Sequence, residues 1–221
     1  MSKQEFPELA PPPWLRREAE TTVHETGVWG LFVDGRKLDS GFPNTSRWLS
    51  VLMKQVCKAF PWASIHDAEI GLSSGAIDWQ REEVGFGEWL RRNVDHDAVC
   101  GGMVGSIDLE LLWIGSEGRR GCSMFPQAGR ILVDPNPHNT STWSEVYCSI
   151  LVKCNLFTAT IVSDDGSTLI DIEEAAQRNR QRLAKSLHDW ESISGGEIRE
   201  WESSLVSGIE RYGFDANCAE L

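Results

Sequence analysis

Two short segments carry histidine and carboxylate side chains, which are residue types that bind divalent metals or move protons. The segments are SIHDAEIG (64–71) and VDHDAV (94–99), and their polar members include His66, Asp67, Glu69, Asp95, His96 and Asp97. A metal site would require the two segments to converge, and their spacing matches neither HExxH nor an EF-hand loop. One interpretation is a metal-dependent hydrolase that uses His66, Asp67, Asp95 and Asp97. The competing interpretation is a solvated acidic surface.

Cys122 is a second candidate for chemistry because it follows Arg119 and Arg120. Neighbouring cations lower the pKa of a thiol and favour the nucleophilic thiolate. No histidine stands at a recognisable spacing to serve as its base, so a buried strand cysteine is the alternative. The chain contains no GxSxG, P-loop or GxGxxG motif. We therefore predict a protein with no catalytic residues and no cofactor.

Trp79 and Trp89 lie in a segment rich in carboxylates, IDWQREEVGFGEWLRRNVDHD (77–97). Aromatic anchors surrounded by negative charge are typical of an interface for a basic protein. The alternative is an acidic loop whose indoles lie in the core. The predicted partner-binding residues are Asp67, Glu69, Asp78, Trp79, Glu82, Glu83, Glu88, Trp89, Asp95 and Asp97.

Net charge limits the kinds of partner. The 221 residues carry a net charge of -12, with 33 acidic and 21 basic side chains. Such a balance disfavours binding to nucleic acid or to an anionic membrane. Residues 64–118 hold 11 acidic and 3 basic side chains, and residues 162–221 hold 13 and 6. The first block is the preferred binding face for a basic protein, and the second block is the next choice.

The compartment is predicted from the N-terminal segment and from the cysteines. The N-terminal segment lacks the apolar region of a secretory signal, and no apolar run is long enough to span a membrane. The six cysteines form no CxxC pair, which favours reduced thiols buried as small apolar side chains. We expect a cytoplasmic protein; its oligomeric state is open.

The elements that position these residues include a near-repeat, NTSRW at 44–48 and NTSTW at 139–143. Asn, Thr and Ser are favoured at helix N-termini, and apolar residues follow each copy at helical spacing. Each copy therefore predicts a helix, although the Val, Tyr and Ile content of the second also allows a strand. Similar flanking segments suggest a β-α-β duplication over 28–65 and 128–162, with chance resemblance as the alternative.

The remaining pattern predicts one α+β domain over residues 14–165. Ile107, Leu109, Leu111 and Trp113 alternate with polar residues and indicate a strand. We expect a central, mainly antiparallel sheet of four to five strands with packed helices. Residues 1–13 predict an extended proline-rich arm. Residues 166–221 predict a C-terminal helical hairpin, with helices near 171–193 and 197–213 separated by Gly195 and Gly196.

A resemblance to a known family rests on residues from about 105 to 165. The order is SIDLELLWIG, a predicted hairpin, RILVDPNP, a predicted capped helix with Trp143, and a strand before SDDG. It is similar to the immunity-52 family of bacterial polymorphic-toxin and type VI secretion systems, associated with restriction-endonuclease-like toxins. The resemblance implies an α+β protein without enzymatic activity that binds a toxin domain in the cytoplasm of the producing cell.

The prediction from sequence is therefore a non-enzymatic immunity protein that occludes a basic, nuclease-like toxin through an acidic face. Nuclease toxins present basic clefts, and an acidic protein is steered to such a cleft rapidly. The first alternative is a metal- or cysteine-dependent hydrolase that uses the cluster His66, Asp67, Asp95 and Asp97. An adaptor subunit of a larger complex is the second, because it differs from an immunity protein only in its partner.

Overall fold

The computed structural model describes residues 7, 10, 27–81, 84–94, 99–115, 118–138, 143–153, 155–157, 160–162, 169–203 and 206–220. The strands are β1 (Gly27–Asp34), β2 (Ala63–Leu72), β3 (Gly75–Gln80), β4 (Val99–Ile114), β5 (Arg120–Asp134), β6 (Glu145–Val152), β7 (Thr160–Val162), β8 (Leu169–Asp171), β9 (Glu197–Glu202), β10 (Val206–Glu210) and β11 (Gly213–Glu220). Seven of them form one sheet in the order β3-β2-β4-β5-β6-β1-β9, and all neighbours are antiparallel. The predicted α+β, antiparallel architecture is confirmed, with more strands than expected.

Helices cover one face of this sheet. They are α1 (Gly35–Leu38), α2 (Arg47–Ala59), α3 (Phe86–Asn93) and α4 (Glu173–Ser194). The pairs β7–β8 and β10–β11 form two small separate sheets. Among the described residues, no helix is both long enough and apolar enough to cross a membrane.

Helix α2 follows the first NTS triplet as predicted. Its apolar residues recur every three or four positions, which places Trp48, Leu49 and Leu52 on one fully buried face. Ser46 occupies the position before the helix, but its side chain makes no capping hydrogen bond. The hydroxyl of Thr45 donates instead to the carboxylate of Asp39. The triplet therefore marks the helix start without supplying the expected cap.

The helix predicted after the second triplet is wrong, because Glu145–Val152 forms strand β6. Residues 139–142 lie outside the described residues. Strand β6 lies between β5 and β1, and most of its side chains are buried on both faces. Such a strand is apolar at consecutive positions, so it also satisfies helical spacing. A strand thus occupies the place where the β-α-β duplication requires a helix.

The prediction of a C-terminal helical hairpin is correct for its first helix and wrong for its second. Helix α4 matches the predicted first helix and ends at Gly195, whose φ of 65° is a left-handed conformation that suits glycine. The predicted second helix is replaced by β9 and β10. Strand β9 pairs with β1, and β10 pairs with β11, so long-range pairing overrides the helical preference of this segment. Of the predicted arm over 1–13, only Pro7 and Ala10 lie within the described residues.

The core lies between the sheet and the helices. Ile107, Leu109, Leu111 and Trp113 of β4 are at most 3% exposed, which confirms the predicted strand and its buried face. Strand β4 extends past the paired part of β2, and helix α4 covers this free edge. The large buried side chains that fill the core include Trp29, Trp48, Trp190, Phe60 and Phe157.

Glu191 connects helix α4 to the C-terminal strands. Its carboxylate accepts hydrogen bonds from the Ile198 N–H (2.5 Å), the Arg211 guanidinium (2.6 Å) and the Tyr212 hydroxyl (2.5 Å). Burial by itself would raise the pKa of Glu191, but these bonds outweigh it and lower the pKa. The carboxylate therefore stabilises the docked C-terminal strands when it is ionised.

We predict that Glu191→Gln lowers the free energy of unfolding at pH 7 by about 1–2 kcal/mol, the scale of lost charge-assisted hydrogen bonds. Because the folded pKa is lowered, this contribution is present above the unfolded pKa near 4.5 and is lost as pH falls through the folded pKa. Urea unfolding at several pH values measures it. The partly exposed Asp189→Asn change, which affects only the Lys185 pair, is the control and should be nearly neutral. An equal loss at pH 7 and pH 3 would contradict the role of charge.

Candidate functional site

The sheet face opposite the helices is the candidate binding surface. Side chains alternate along each strand, so residues between core positions point to this second face. We call it the outer face; its main members are Asp67, Glu69, Asp78, Val104, Arg130, Leu132, Asp134, Glu145, Tyr147, Glu200 and Glu202. Val104 is 42% exposed, so apolar as well as charged surface is presented.

Three of the predicted binding residues meet at one edge of the outer face. Glu69 of β2 pairs with Asp78 of β3 on one side and with Val104 of β4 on the other. Asp67 lies two residues before Glu69, and its carboxylate accepts a 2.9 Å hydrogen bond from the Ser106 N–H. Glu69 and Asp78 are exposed. The structure thus brings these three carboxylates to one edge of the same face.

Other predicted binding residues lie elsewhere. Trp79 and Trp89 are 3% and 6% exposed and pack with Phe86 at ring distances of 5.0 Å between Trp79 and Phe86 and 6.2 Å between Phe86 and Trp89. Their prediction as exposed anchors is corrected, since their apolar rings lie in the core beside α3. Glu88 lies on α3 and pairs with Arg92. Glu82, Glu83, Asp95 and Asp97 lie outside the described residues.

A second acidic group lies at the opposite edge, within the acidic block 162–221 that was the second choice of binding face, although none of its residues was singled out from the sequence. Glu200 and Glu202 of β9 pair with Gly30 and Val28 of β1, and both glutamates are exposed. They were assigned to a helix because Glu and Arg favour helices. The available signal was the alternation of apolar and acidic residues in EWE, shortly after two glycines that reverse the chain.

An aromatic and ionic cluster lies between the two edges, centred on Phe32. Its ring stacks on His138 with centroids 6.0 Å apart and contacts Tyr147 at 5.0 Å. The Arg199 guanidinium lies 5.1 Å above the Phe32 ring. Both carboxylate oxygens of Glu145 accept hydrogen bonds from Arg199, at 3.0 and 3.2 Å. The cluster therefore combines ring surface with a bidentate ion pair, which fixes the guanidinium.

The charged groups of this cluster shift one another's pKa. The hydrogen bonds from Arg199 lower the pKa of Glu145, and the same bonds raise the pKa of Arg199. Burial raises the pKa of Tyr147, and Glu200 adds to the rise. Arg199 is thus neutralised by its own neighbours. Within the described part of the chain, Glu69, Asp78 and Glu202 have no ion-pair partner, so the outer face presents uncompensated negative charge.

Two cavities lie in this region. The larger, of about 480 Å³, is lined by Val28, Tyr147, Arg199, Glu200, Trp201 and Glu202. A second cavity of about 290 Å³ shares Tyr147 and Glu200 with it. Trp201 is 41% exposed. The surface at this edge is therefore concave, with the partly exposed Tyr147 ring next to the carboxylates of Glu200 and Glu202. A ring beside carboxylates suits a cationic side chain. Trp201 pairs with the core residue Trp29, so its side chain alternates to the other face.

Gly30 determines the position of Tyr147 in this surface. A Cβ atom at residue 30 would lie 2.5 Å from Cε2 of Tyr147, so the ring lies directly over the glycine. We predict that Gly30→Ala displaces this ring and costs about 1–3 kcal/mol, the range for overpacking. Denaturant unfolding measures the loss, and Gly30→Ala combined with Tyr147→Ala should recover part of it. Gly87→Ala, where the new Cβ meets nothing, is the control. A neutral Gly30→Ala variant would contradict the assigned contact.

Of the four residues of the hydrolase alternative, only His66 and Asp67 lie within the described residues. Nδ1 of His66 lies 2.9 Å from Oδ1 of Asp108, a carboxylate that is 1% exposed. Asp108 also accepts hydrogen bonds from Arg81 and from the Gln127 N–H. Asp108 alternates with the apolar core residues of β4, and a register shift next to it in the β4–β5 pairing accompanies its burial. Asp108 thus binds groups from β2, β5 and the residue that follows β3.

The remaining candidates for chemistry are potential metal ligands and the cysteine thiols. The described residues contain no cluster of three or more potential metal ligands. Cys122 is buried against Leu112 and Ala175, while the neighbouring Arg120 pairs with Glu174 at 2.7 Å. Cys148 is also buried, as predicted, and this burial raises the pKa of its thiol. Cys57, by contrast, lies in an exposed position.

Comparison with protein families, with curated proteins and with solved structures found no match to this chain.

Proposed function

We propose that this chain is a non-enzymatic immunity protein that binds a basic, nuclease-like toxin domain through its outer face and occludes the toxin's substrate cleft. The observation that carries the proposal is the set of exposed carboxylates at both edges of one sheet face, Glu69 and Asp78 at one and Glu200 and Glu202 at the other. The toxin class comes from the family resemblance described above.

The dimensions of the outer face are compatible with a protein partner. Adjacent strands are spaced about 4.8 Å apart, so the face spans about 29 Å from β3 to β9. That width exceeds what a small ligand covers and is comparable to a standard protein interface. Carboxylates at both edges steer a basic partner and define its orientation.

The centre of the outer face supplies the apolar part of the interface. Val104 is exposed and pairs with Leu132, and Tyr147 lies on the same face. Interfaces combine an apolar or aromatic centre with a polar rim, and aromatic residues are the usual sources of affinity. Charge at the edges and apolar groups between them therefore support tight binding as well as fast association.

The test is affinity capture with the tagged chain from its native source, together with co-expression of the neighbouring open reading frame. We expect recovery of a basic toxin domain and suppression of its lethality by this chain. Recovery of a non-toxic complex would favour the adaptor alternative. A chain that retains stoichiometric metal, and melts at a lower temperature after chelation, would favour the hydrolase.

A further inference from the structure

A separate pocket lies on the helical side of the sheet, away from the outer face. It has a volume of about 440 Å³, within the range of small-molecule sites. Helix α2 provides one wall through Met53 and Cys57, and helix α3 provides another through Phe86 and Leu90. Ile65 and Trp79 form its base from β2 and β3. The walls are therefore mainly apolar.

The pocket exists because strand β3 ends early. The last pair between β2 and β3 joins Asp67 to Gln80, so residues 63–65 of β2 pair only with β4. Helix α3 lies beside this uncovered edge. Gly85 and Gly87, at the start of α3, line the pocket, and a Cβ added at either glycine would meet no atom within 4 Å. Missing side chains at these two positions leave the space open.

The charge of the pocket is opposite to that of the protein. Its charged lining residues are Lys54 and Arg81, and the described lining contains no carboxylate. In a chain with a net charge of -12, a lining whose charged side chains are both cations is unusual. Arg81 donates to Asp108, but the Arg81 side chain is 52% exposed and retains further N–H donors. Both cations can therefore bind an anion at the pocket rim.

A polar group within the pocket lacks a partner. The Ser64 hydroxyl oxygen is buried and makes no hydrogen bond within the described part of the chain. Such groups in proteins are normally satisfied by protein, water or ligand. We propose that this pocket binds an amphipathic carboxylate, with its apolar body between α2 and α3 and its carboxylate directed to Lys54 and Arg81. This inference does not depend on the proposed function.

The test compares decanoate with its uncharged analogue decanamide by isothermal titration calorimetry. We expect decanoate to bind the full-length chain at least 10-fold more tightly than decanamide. Lys54→Glu should weaken decanoate binding by at least 10-fold and leave decanamide binding unchanged. Arg130→Glu makes the same charge change on the outer face and should have no effect. Equal affinities for the two probes, or equal effects of the two variants, would overturn the proposal.

Two further measurements locate the binding. Gly87→Leu places a side chain in the open space without loss of helix propensity, and it should abolish binding while the protein stays folded. Decanoate should also slow the reaction of Cys57 with N-ethylmaleimide at least fivefold, as measured on its peptide by mass spectrometry. Desolvation by neighbouring side chains raises the pKa of the Cys57 thiol although the residue is exposed, so its basal reaction is slow but measurable at pH 8.5. Binding that survives Gly87→Leu and leaves Cys57 unprotected would place the ligand elsewhere and refute this pocket.

Discussion

Simultaneous replacement of Glu69, Asp78 and Glu202 by lysine is expected to reduce the rate of association with the toxin domain by about 10- to 1,000-fold, the range that electrostatic steering supplies. These carboxylates are exposed on the outer face and have no ion-pair partner among the described residues. The reversals turn attraction into repulsion at both edges. Equilibrium affinity should fall with the association rate, and co-expression should no longer suppress lethality.

The matched control carries the same total charge change on the helical side. It combines two carboxylate reversals, Glu88→Lys and Asp189→Lys, with two glutamine replacements, Gln177→Lys and Gln181→Lys. Glu88 on α3 and both glutamines on α4 are exposed, and Asp189 on α4 is partly exposed. Each reversal changes the charge by twice as much as each glutamine replacement, so the control matches the three outer-face reversals.

Stopped-flow association at several salt concentrations separates the two variants. The wild-type and control rates should fall steeply as salt rises, because screening weakens steering, whereas the outer-face variant should respond weakly. Equal rates for the two variants would show that net charge, and not the outer face, controls association.

Replacement of Asn179 is expected to have the largest effect on stability. This buried side chain of α4 accepts a 3.0 Å hydrogen bond from the Leu112 N–H and donates to the carbonyls of Leu112 (2.9 Å) and Leu156 (3.1 Å). Strand β2 does not pair with β4 at Leu112. The side-chain amide of Asn179 therefore bonds the backbone groups that a neighbouring strand would otherwise satisfy. Asn179→Leu removes all three bonds and leaves buried backbone groups unsatisfied, which we expect to cost about 4 kcal/mol.

Asn179→Asp distinguishes hydrogen bonding from packing. The carboxylate keeps the bond from the Leu112 N–H but faces two carbonyl oxygens, so burial should raise its folded pKa above the unfolded value near 3.9. The variant should therefore be least destabilised below pH 4 and lose stability as pH rises through the folded pKa. Urea unfolding between pH 3.5 and 7 measures this dependence. Gln177→Ala, an exposed neighbour on α4, should be nearly neutral; a comparably small loss in Asn179→Leu would contradict the assigned role.

Local patterns predicted the elements whose two faces differ. Helix α2 and strand β4 each have one buried and one polar side, so periodicity identified them and their core residues. Strand β6 is buried on both faces from Cys148 to Val152, and its consecutive apolar residues fit a helix equally well. Strand β9 depends on pairing with β1, 165 or more positions away along the chain, which local preference does not encode.

The part of the candidate site that could be predicted from the sequence is the part that depends on local charge. The carboxylates Asp67, Glu69 and Asp78 were identified from the charge of their block and do share a face. Trp79 and Trp89 were assigned to the surface because their neighbours in sequence are acidic, yet the fold turns both rings inward. The Asp108 network and the Asn179 bridge join distant segments, so only tertiary structure reveals them.

Carboxylate footprinting of the toxin complex tests the central claim most directly. Exposed carboxyl groups are coupled to glycine ethyl ester with a carbodiimide in the free chain and in the complex, and labelling is measured by peptide mass spectrometry. The outer-face binding model predicts strong protection of Glu69, Asp78, Glu200 and Glu202, with unchanged labelling of Glu88 on α3 and Asp189 on α4. Protection of these two helical-side carboxylates with full labelling of the outer face would contradict it.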